Sequence, residues 1–155
     1  MIEIKHVLSS SEKSSICNDT LRALSNWFGN EAAIIDYTEQ VKEMPFYVAF
    51  DEDKPVGFVA IKIHNSYTAE VCVMGVLIEY HRQGIGKKLI KCCDDYCREN
   101  KMDFLTVKTL DASRESKSYE KTRLFYLSVG FKPLEVFPLF WDKNNACLFM
   151  AKSIS

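Results

Sequence analysis

The feature that most constrains this chain is a change of hydrophobic period near residue 84. From Thr68 to about Leu77 the residues read as a strand, rich in valine and interrupted by Gly75. From Gly84 onward Ile85, Leu89, Cys92, Cys93 and Tyr96 fall on one helical stripe, with Lys87, Lys88, Lys91 and Asp95 on the other face. Between the two lies the basic, glycine-containing turn His81-Arg82-Gln83-Gly84-Ile85-Gly86. A strand that runs through such a turn into a helix aims unpaired N–H groups and the positive end of the helix dipole at one point. That point suits an anion. Gly84 and Gly86 carry no Cβ, so a bulky pyrophosphate could approach the main chain, and Arg82, Lys87 and Lys88 add positive charge. A dinucleotide-binding fingerprint would need glycine where Leu89 stands, and the G-x-x-x-x-G-K-[ST] phosphate loop is absent.

The remaining elements follow from periodicity and turn chemistry. Ile2-Glu3-Ile4-Lys5-His6-Val7 alternates as a half-buried strand does, and Ser9, Ser10 and Ser11 offer caps for a helix that stops near Gly29. A second helix is expected from Glu31 to about Glu43, ahead of Pro45. Phe46–Phe50 and Pro55–Ile63 form a hairpin around a polar turn, and the strand beginning at Thr68 returns antiparallel to it. After the central helix, Phe104–Val107 reads as a short buried strand, which requires one parallel crossover. A helix from about Tyr119 to Val129 closes at Gly130, and two strands joined by Asp142-Lys143-Asn144-Asn145 end the chain. The expected fold is α+β, a mixed sheet in the order β-α-α-β-β-β-α-β-α-β-β, with residues 1–155 as one domain. A chain of 155 residues can bury roughly two thirds of its unfolded surface without metal or disulfide staples.

The segment His81–Gly86 resembles the motif Gln/Arg-x-x-Gly-x-Gly/Ala that binds the pyrophosphate of acetyl-CoA in the GNAT superfamily of N-acetyltransferases. Two further blocks stand in matching order. Ala69–Val76 looks like the fourth strand of that fold, and Thr122–Phe131 is similar to the later block that ends Phe-Tyr-x-x-x-Gly-Phe. The resemblance covers about Met1 to Lys152. It implies that strands four and five splay apart and that backbone groups of Met74, Gly75 and Val76 line pantetheine. It also implies that Arg82, Gln83, Gly84, Ile85, Gly86 and Lys87 hold the pyrophosphate. The bulge that splays the strands is expected at Gly75, and the Val76 N–H is the candidate polariser of the thioester carbonyl. His81 departs from the usual Gln or Arg, and Tyr119 stands where many members have Asn near the cofactor.

By the same resemblance, Tyr126 is the expected general acid for the departing thiolate and Glu70 the expected base for the acceptor amine. Strict strand alternation puts Glu70 and Cys72 on one face, opposite Val71 and Val73. His64, Glu79 and His81 are weaker rivals as base, and Cys72 is not assigned as a nucleophile because direct transfer needs none. The acceptor side is expected to draw on Trp27, Phe28, Glu31, Asp36, Tyr37 and Glu39 from the first helices and on Phe137, Phe140 and Trp141 from the last hairpin. Aromatic and acidic groups at one mouth suit a cationic amine, in a small molecule or a peptide. The same aromatics would also serve as core or homodimer-interface residues.

Composition excludes other classes. A net charge of −1 gives no field for a phosphate backbone, so no nucleic-acid partner is expected. No apolar run nears the roughly 18 residues that span a bilayer, so no membrane partner is expected and the chain reads as cytoplasmic. Six cysteines contain no C-x-x-C pair and no histidine lies near Cys93 and Cys97, so they read as structural thiols, with no metal expected. Two rivals to the enzyme reading remain on the same residues: a noncatalytic acyl-CoA sensor or partner-binding module, and a nicotinamide-dependent oxidoreductase.

Overall fold

The computed structural model describes residues 1–155. The elements in chain order are β1 (Ile2–His6), α1 (Ser10–Ala23), α2 (Glu31–Gln40), a 3-10 turn (Val41–Glu43), β2 (Phe46–Asp51), β3 (Lys54–Ile63), β4 (Thr68–Val76), a 3-10 turn (Ile78–Tyr80), α3 (Ile85–Glu99), β5 (Phe104–Leu110), α4 (Lys117–Ser128), β6 (Lys132–Asp142) and β7 (Asn145–Ser153). The strands form one sheet in the order β1-β2-β3-β4-β5-β7-β6, antiparallel throughout except for the β4–β5 pair. This is the expected α+β order.

Local chemistry sets the element ends. Ser9, Asn30 and Ser116 cap α1, α2 and α4 by accepting from the N–H groups of Glu12, Ala33 and Tyr119. The first helix ends at Ala23, earlier than the sequence suggests, and residues 25–27 form a turn that carries Trp27 and Phe28 away from the helix axis. β5 runs on to Leu110 because β7 pairs with it as far as Cys147.

The core lies in two layers, one on each face of the sheet. On one face Ile16, Cys17 and Leu21 of α1 and Ile34 of α2 pack with Phe46, Val48, Phe58, Ala60 and Val73. On the other, Ile85, Leu89, Ile90, Cys93 and Cys97 of α3 and Tyr126 of α4 pack with Ala69, Val71, Leu105, Val107 and Met150. Burying such side chains contributes about 1.5–3 kcal/mol each. Cys93 and Cys97 are part of this apolar layer.

Two irregularities shape the centre of the sheet. Ala60 pairs with Val73 and Ile61 with Val71, so Cys72 is an extra residue on β4: the bulge sits there and not at Gly75. A bulge bends its strand and increases the local twist. Pairing between β4 and β5 covers only Thr68–Val71 against Phe104–Val107, and stops at this bulge. Beyond it β4 continues along β3 to Val76 and β5 along β7 to Leu110, so the sheet opens as a V. The bulge also reverses the side-chain phase. Val71 points into the α3 layer and Val73 into the α1 layer, where strict alternation had put both on one face.

Gly75 has a different task from the one expected. A Cβ there would lie 2.8 Å from Leu24 Cδ1 and 3.4 Å from Thr20 Cγ2, so the missing side chain lets α1 sit close on β4. Both neighbours are buried. Gly75→Val is expected to lower the unfolding free energy by about 1–3 kcal/mol through overpacking, read as a lower denaturation midpoint at unchanged slope.

Candidate active site

The turn between β4 and α3 leaves helix N–H groups open to solvent. Gly84 caps α3 in the left-handed region at φ 78°, with no side-chain cap and no atom near the place a Cβ would take. Arg82 is also left-handed, at φ 64°. The first N–H of α3 to be bonded is that of Lys88, to the Gly84 carbonyl, so those of Ile85, Gly86 and Lys87 are free for a ligand. Arg82, Gln83, Gly84 and Lys87 are exposed, and Gln83 Nε2 reaches the Glu79 carbonyl at 3.4 Å. Gly86 serves packing: a Cβ there would meet Phe125 Cζ at 2.9 Å, so α3 and α4 touch through it. Tyr80 anchors the turn by donating to Asp51 at 2.6 Å, and this bond is the main reason the Asp51 carboxyl is held below the ordinary carboxylate range.

The opened edge of β4 runs from the point of the V toward this turn. Leu77 N–H donates to the Val56 carbonyl on β3, so antiparallel alternation turns the N–H and C=O groups of Met74 and Val76 away from β3 and into the opening. The Val76 carbonyl is already engaged: His81 Nε2 donates to it at 2.6 Å. The His81 ring therefore folds back against the strand. The edge keeps the N–H groups of Met74 and Val76 for a ligand.

A strap crosses the open end of the V. Tyr119 Oη donates to the Trp27 carbonyl at 2.8 Å, and Trp27 Nε1 donates to Thr122 Oγ1 at 3.0 Å and to the Ser118 carbonyl at 3.2 Å. The Trp27 indole also meets the His81 ring edge-on at 5.8 Å. The turn after α1 is thus tied to the head of α4 and to the turn between β4 and α3. Tyr126 lies beneath, 7 % exposed, in the α3 layer between Phe125 and Phe131. Burial, and then Tyr119, Cys93 and Tyr37, push its hydroxyl pKa well above the ordinary tyrosine value, so it holds its proton at neutral pH.

At the point of the V the side chains are charged. Glu70, its side chain 8 % exposed, accepts from His64 Nε2 at 2.5 Å and from Lys108 Nζ at 3.0 and 3.1 Å, one bond to each oxygen from the lysine. Lys108 Nζ lies over the Phe140 ring at 5.5 Å and the Phe149 ring at 5.9 Å, and Trp141 packs edge-on against Phe140. Lys108 and Phe149 escape a sequence reading that ends the strand at Val107. The available signal is a lysine two residues beyond Thr106, on the same face of a strand that continues apolar to Leu110.

Glu70 shares its face with Cys72, whose thiol reaches toward Gln40 Oε1 at 4.0 Å. Burial and Glu70 push that thiol up to about 11, so it stays protonated at neutral pH. Tyr37 is nearby and edge-on to Phe28, and is pushed up to about 12 by burial and Cys72. The aromatics expected at one mouth therefore divide: Trp27 belongs to the strap, Phe28 ahead of α2 pairs with Tyr37 on α2, and Phe140 and Trp141 belong to the charged cluster. The acids expected beside them are turned to other partners. Glu31 pairs with Arg22, Asp36 accepts from Gln40, and Glu39 pairs with Lys42.

The sequence pattern of the acetyltransferase (GNAT) domain matches residues 42–133. A comparison with curated proteins returns no match. Among solved structures, a GNAT-family protein from Desulfovibrio desulfuricans superposes with a TM-score of 0.83 at 13% identity, over 100% of both chains. An aminoglycoside 6'-N-acetyltransferase complexed with coenzyme A gives 0.79 at 18%, covering 99% of this chain and 97% of that one. A GNAT family acetyltransferase from Elizabethkingia anophelis with acetyl-CoA bound gives 0.75 at 16%, covering 98% and 97%. The structural likenesses carry the fold, and the matched stretch carries the family: this chain belongs to the GNAT acetyltransferases.

Proposed function

We propose that residues 1–155 act as one catalytic domain that transfers the acetyl group of acetyl-CoA directly to a primary amine of a small molecule or peptide. The observation that carries this reading is the V between β4 and β5, which leads from the Glu70 cluster to the free N–H groups at the head of α3. In this reading the pyrophosphate sits on the N–H groups of Gly84 to Lys87, with Arg82 and Lys87 supplying charge. Pantetheine runs along the Met74–Val76 edge beneath the Trp27–Tyr119 strap. The Val76 N–H polarises the thioester carbonyl, and Tyr126 gives its proton to the departing thiolate. Two related structures with coenzyme A or acetyl-CoA bound support a CoA-type donor.

A second reading, a noncatalytic acyl-CoA sensor on the same fold, draws on Glu70, whose two oxygens are both taken. The readings separate by release of CoA thiol from acetyl-CoA with and without a panel of amines. An enzyme releases thiol in an amine-dependent way; a sensor binds acetyl-CoA and releases none. Glu31 and Glu39 on α2 are ion-paired while Asp36 meets the neutral amide of Gln40, so the acids give weaker support to a cationic acceptor and the panel includes cationic, neutral and anionic amines.

Two variants test the parts. Arg82→Ala with Lys87→Ala is expected to weaken CoA binding about 10- to 100-fold, as loss of one or two charge-assisted contacts does, measured by calorimetry. Tyr126→Phe is expected to lower kcat about 100-fold with little change in CoA affinity. Because the Tyr126 pKa is raised, its deprotonation should not cut turnover below about pH 10. A Phe variant with full turnover would remove Tyr126 from the mechanism.

A further inference from the structure

We propose that His64 is the group that takes the proton from the acceptor nitrogen, with Glu70 as its positioning residue and Lys108 as the clamp on Glu70. The assignment rests on the acetyl-transfer reading above and changes which residue does the acid–base work in it. Glu70 is buried at 8 % and spends both oxygens on neighbours, so it presents no free face to an incoming amine. His64 is the exposed member of the pair, with a third of its side chain open. A carboxylate only accepts hydrogen bonds, so a neutral His64 carries its hydrogen on Nε2, and the lone pair is on Nδ1.

Glu70 holds the ring at Nε2, and the backbone that carries it is fixed as well. The His64 N–H donates to the Thr68 carbonyl at 3.0 Å. Asn65 Oδ1 accepts from the N–H groups of Tyr67 and Thr68 at 2.8 and 3.0 Å, which fixes the β3–β4 turn on which His64 stands. Lys108 reaches Glu70 from β5, the far arm of the V, so the triad straddles the point from which the two strands diverge. The other charged and titratable groups around the cluster are Lys62 on β3, Cys72 on β4, Cys147 on β7, and Asp36 and Tyr37 on α2. An acceptor would come in on this face, where the α1 and α2 layer lies.

The step balances without a further reactant. The amine lone pair forms the C–N bond at the thioester carbonyl carbon, and the C–S bond breaks as the tetrahedral centre collapses. Val76 stands six residues beyond Glu70 on β4, roughly 15–20 Å at about 3.3 Å per strand residue, so the surplus proton on nitrogen passes along water in the opening to His64 Nδ1, and the imidazolium donates to the Glu70 carboxylate that it shares with Lys108. The thiolate takes a proton from Tyr126, and solvent returns both groups to their starting states. Glu70 never changes its protonation.

The test is amine-dependent thiol release between pH 5.5 and 9, on an acceptor that the wild-type protein turns over, with CoA affinity measured alongside. His64→Gln is expected to lower kcat about 100- to 1000-fold with CoA affinity retained. Glu70→Gln is expected to lower it about tenfold, with part of the loss restored by Glu70→Asp. The double variant should be no slower than His64→Gln. His64→Gly should recover turnover on addition of free imidazole, which a purely structural histidine would not allow. The assignment is overturned if the His64 variants keep the wild-type rate, or if Glu70→Gln stops turnover while His64→Gln retains it. A wild-type protein that binds acetyl-CoA but releases no thiol with any amine overturns the acetyl-transfer reading, and this assignment with it.

Discussion

The site depends on one missing contact, the pairing that β4 and β5 give up beyond Val71 and Val107. A parallel pair in the middle of a sheet would ordinarily run the length of its strands, since every unpaired buried N–H or C=O costs free energy. Here each strand keeps its other neighbour, β3 for β4 and β7 for β5, so only one edge of each goes unpaired. The extra residue at Cys72 sets where the separation begins. The N–H groups of Met74 and Val76 on that edge of β4 are left without protein partners.

Charge is divided along the opening. The end near α3 has helix N–H groups, Arg82 and Lys87 exposed and without ion pairs, which is what a phosphate group needs. The opposite end carries opposite charges locked together, Glu70 against Lys108 with His64 alongside. Removing one partner from a buried pair of this kind costs about 3–5 kcal/mol, because the other is left uncompensated. The cluster is therefore stiff. Its aromatic cover from Phe140 and Phe149 couples the last hairpin to the centre of the sheet.

Much of this was legible in the sequence, and the reasons differ by element. The period change at residue 84, the serine caps and the Asn-rich turn are local signals, and the order of elements followed from them. The open N–H groups at the head of α3 were legible because Gly84 offers no side chain to cap them. What stayed hidden was set by tertiary contact. Gly75 looked like a bulge because glycine in a strand often is one; its true reason, the approach of Leu24, lies 51 positions away in sequence. Glu70 could be assigned to a face but not to a partner, since the lysine that holds it stands on a strand 38 residues later. Trp27 and Tyr119 carried the right chemistry to meet a ligand, and nothing in their spacing shows that they bind each other.

The bulge at Cys72 gives β4 two alternation phases in nine residues. Ala69 and Val71 serve the α3 layer and Val73 and Gly75 the α1 layer, although all four are odd-numbered positions on one strand. Any comparison of related chains that slides by a single position across residue 72 would exchange the two layers and misassign which helix each substitution touches. The numbering of equivalent residues in this family is therefore a geometric question, to be settled on either side of the extra residue separately.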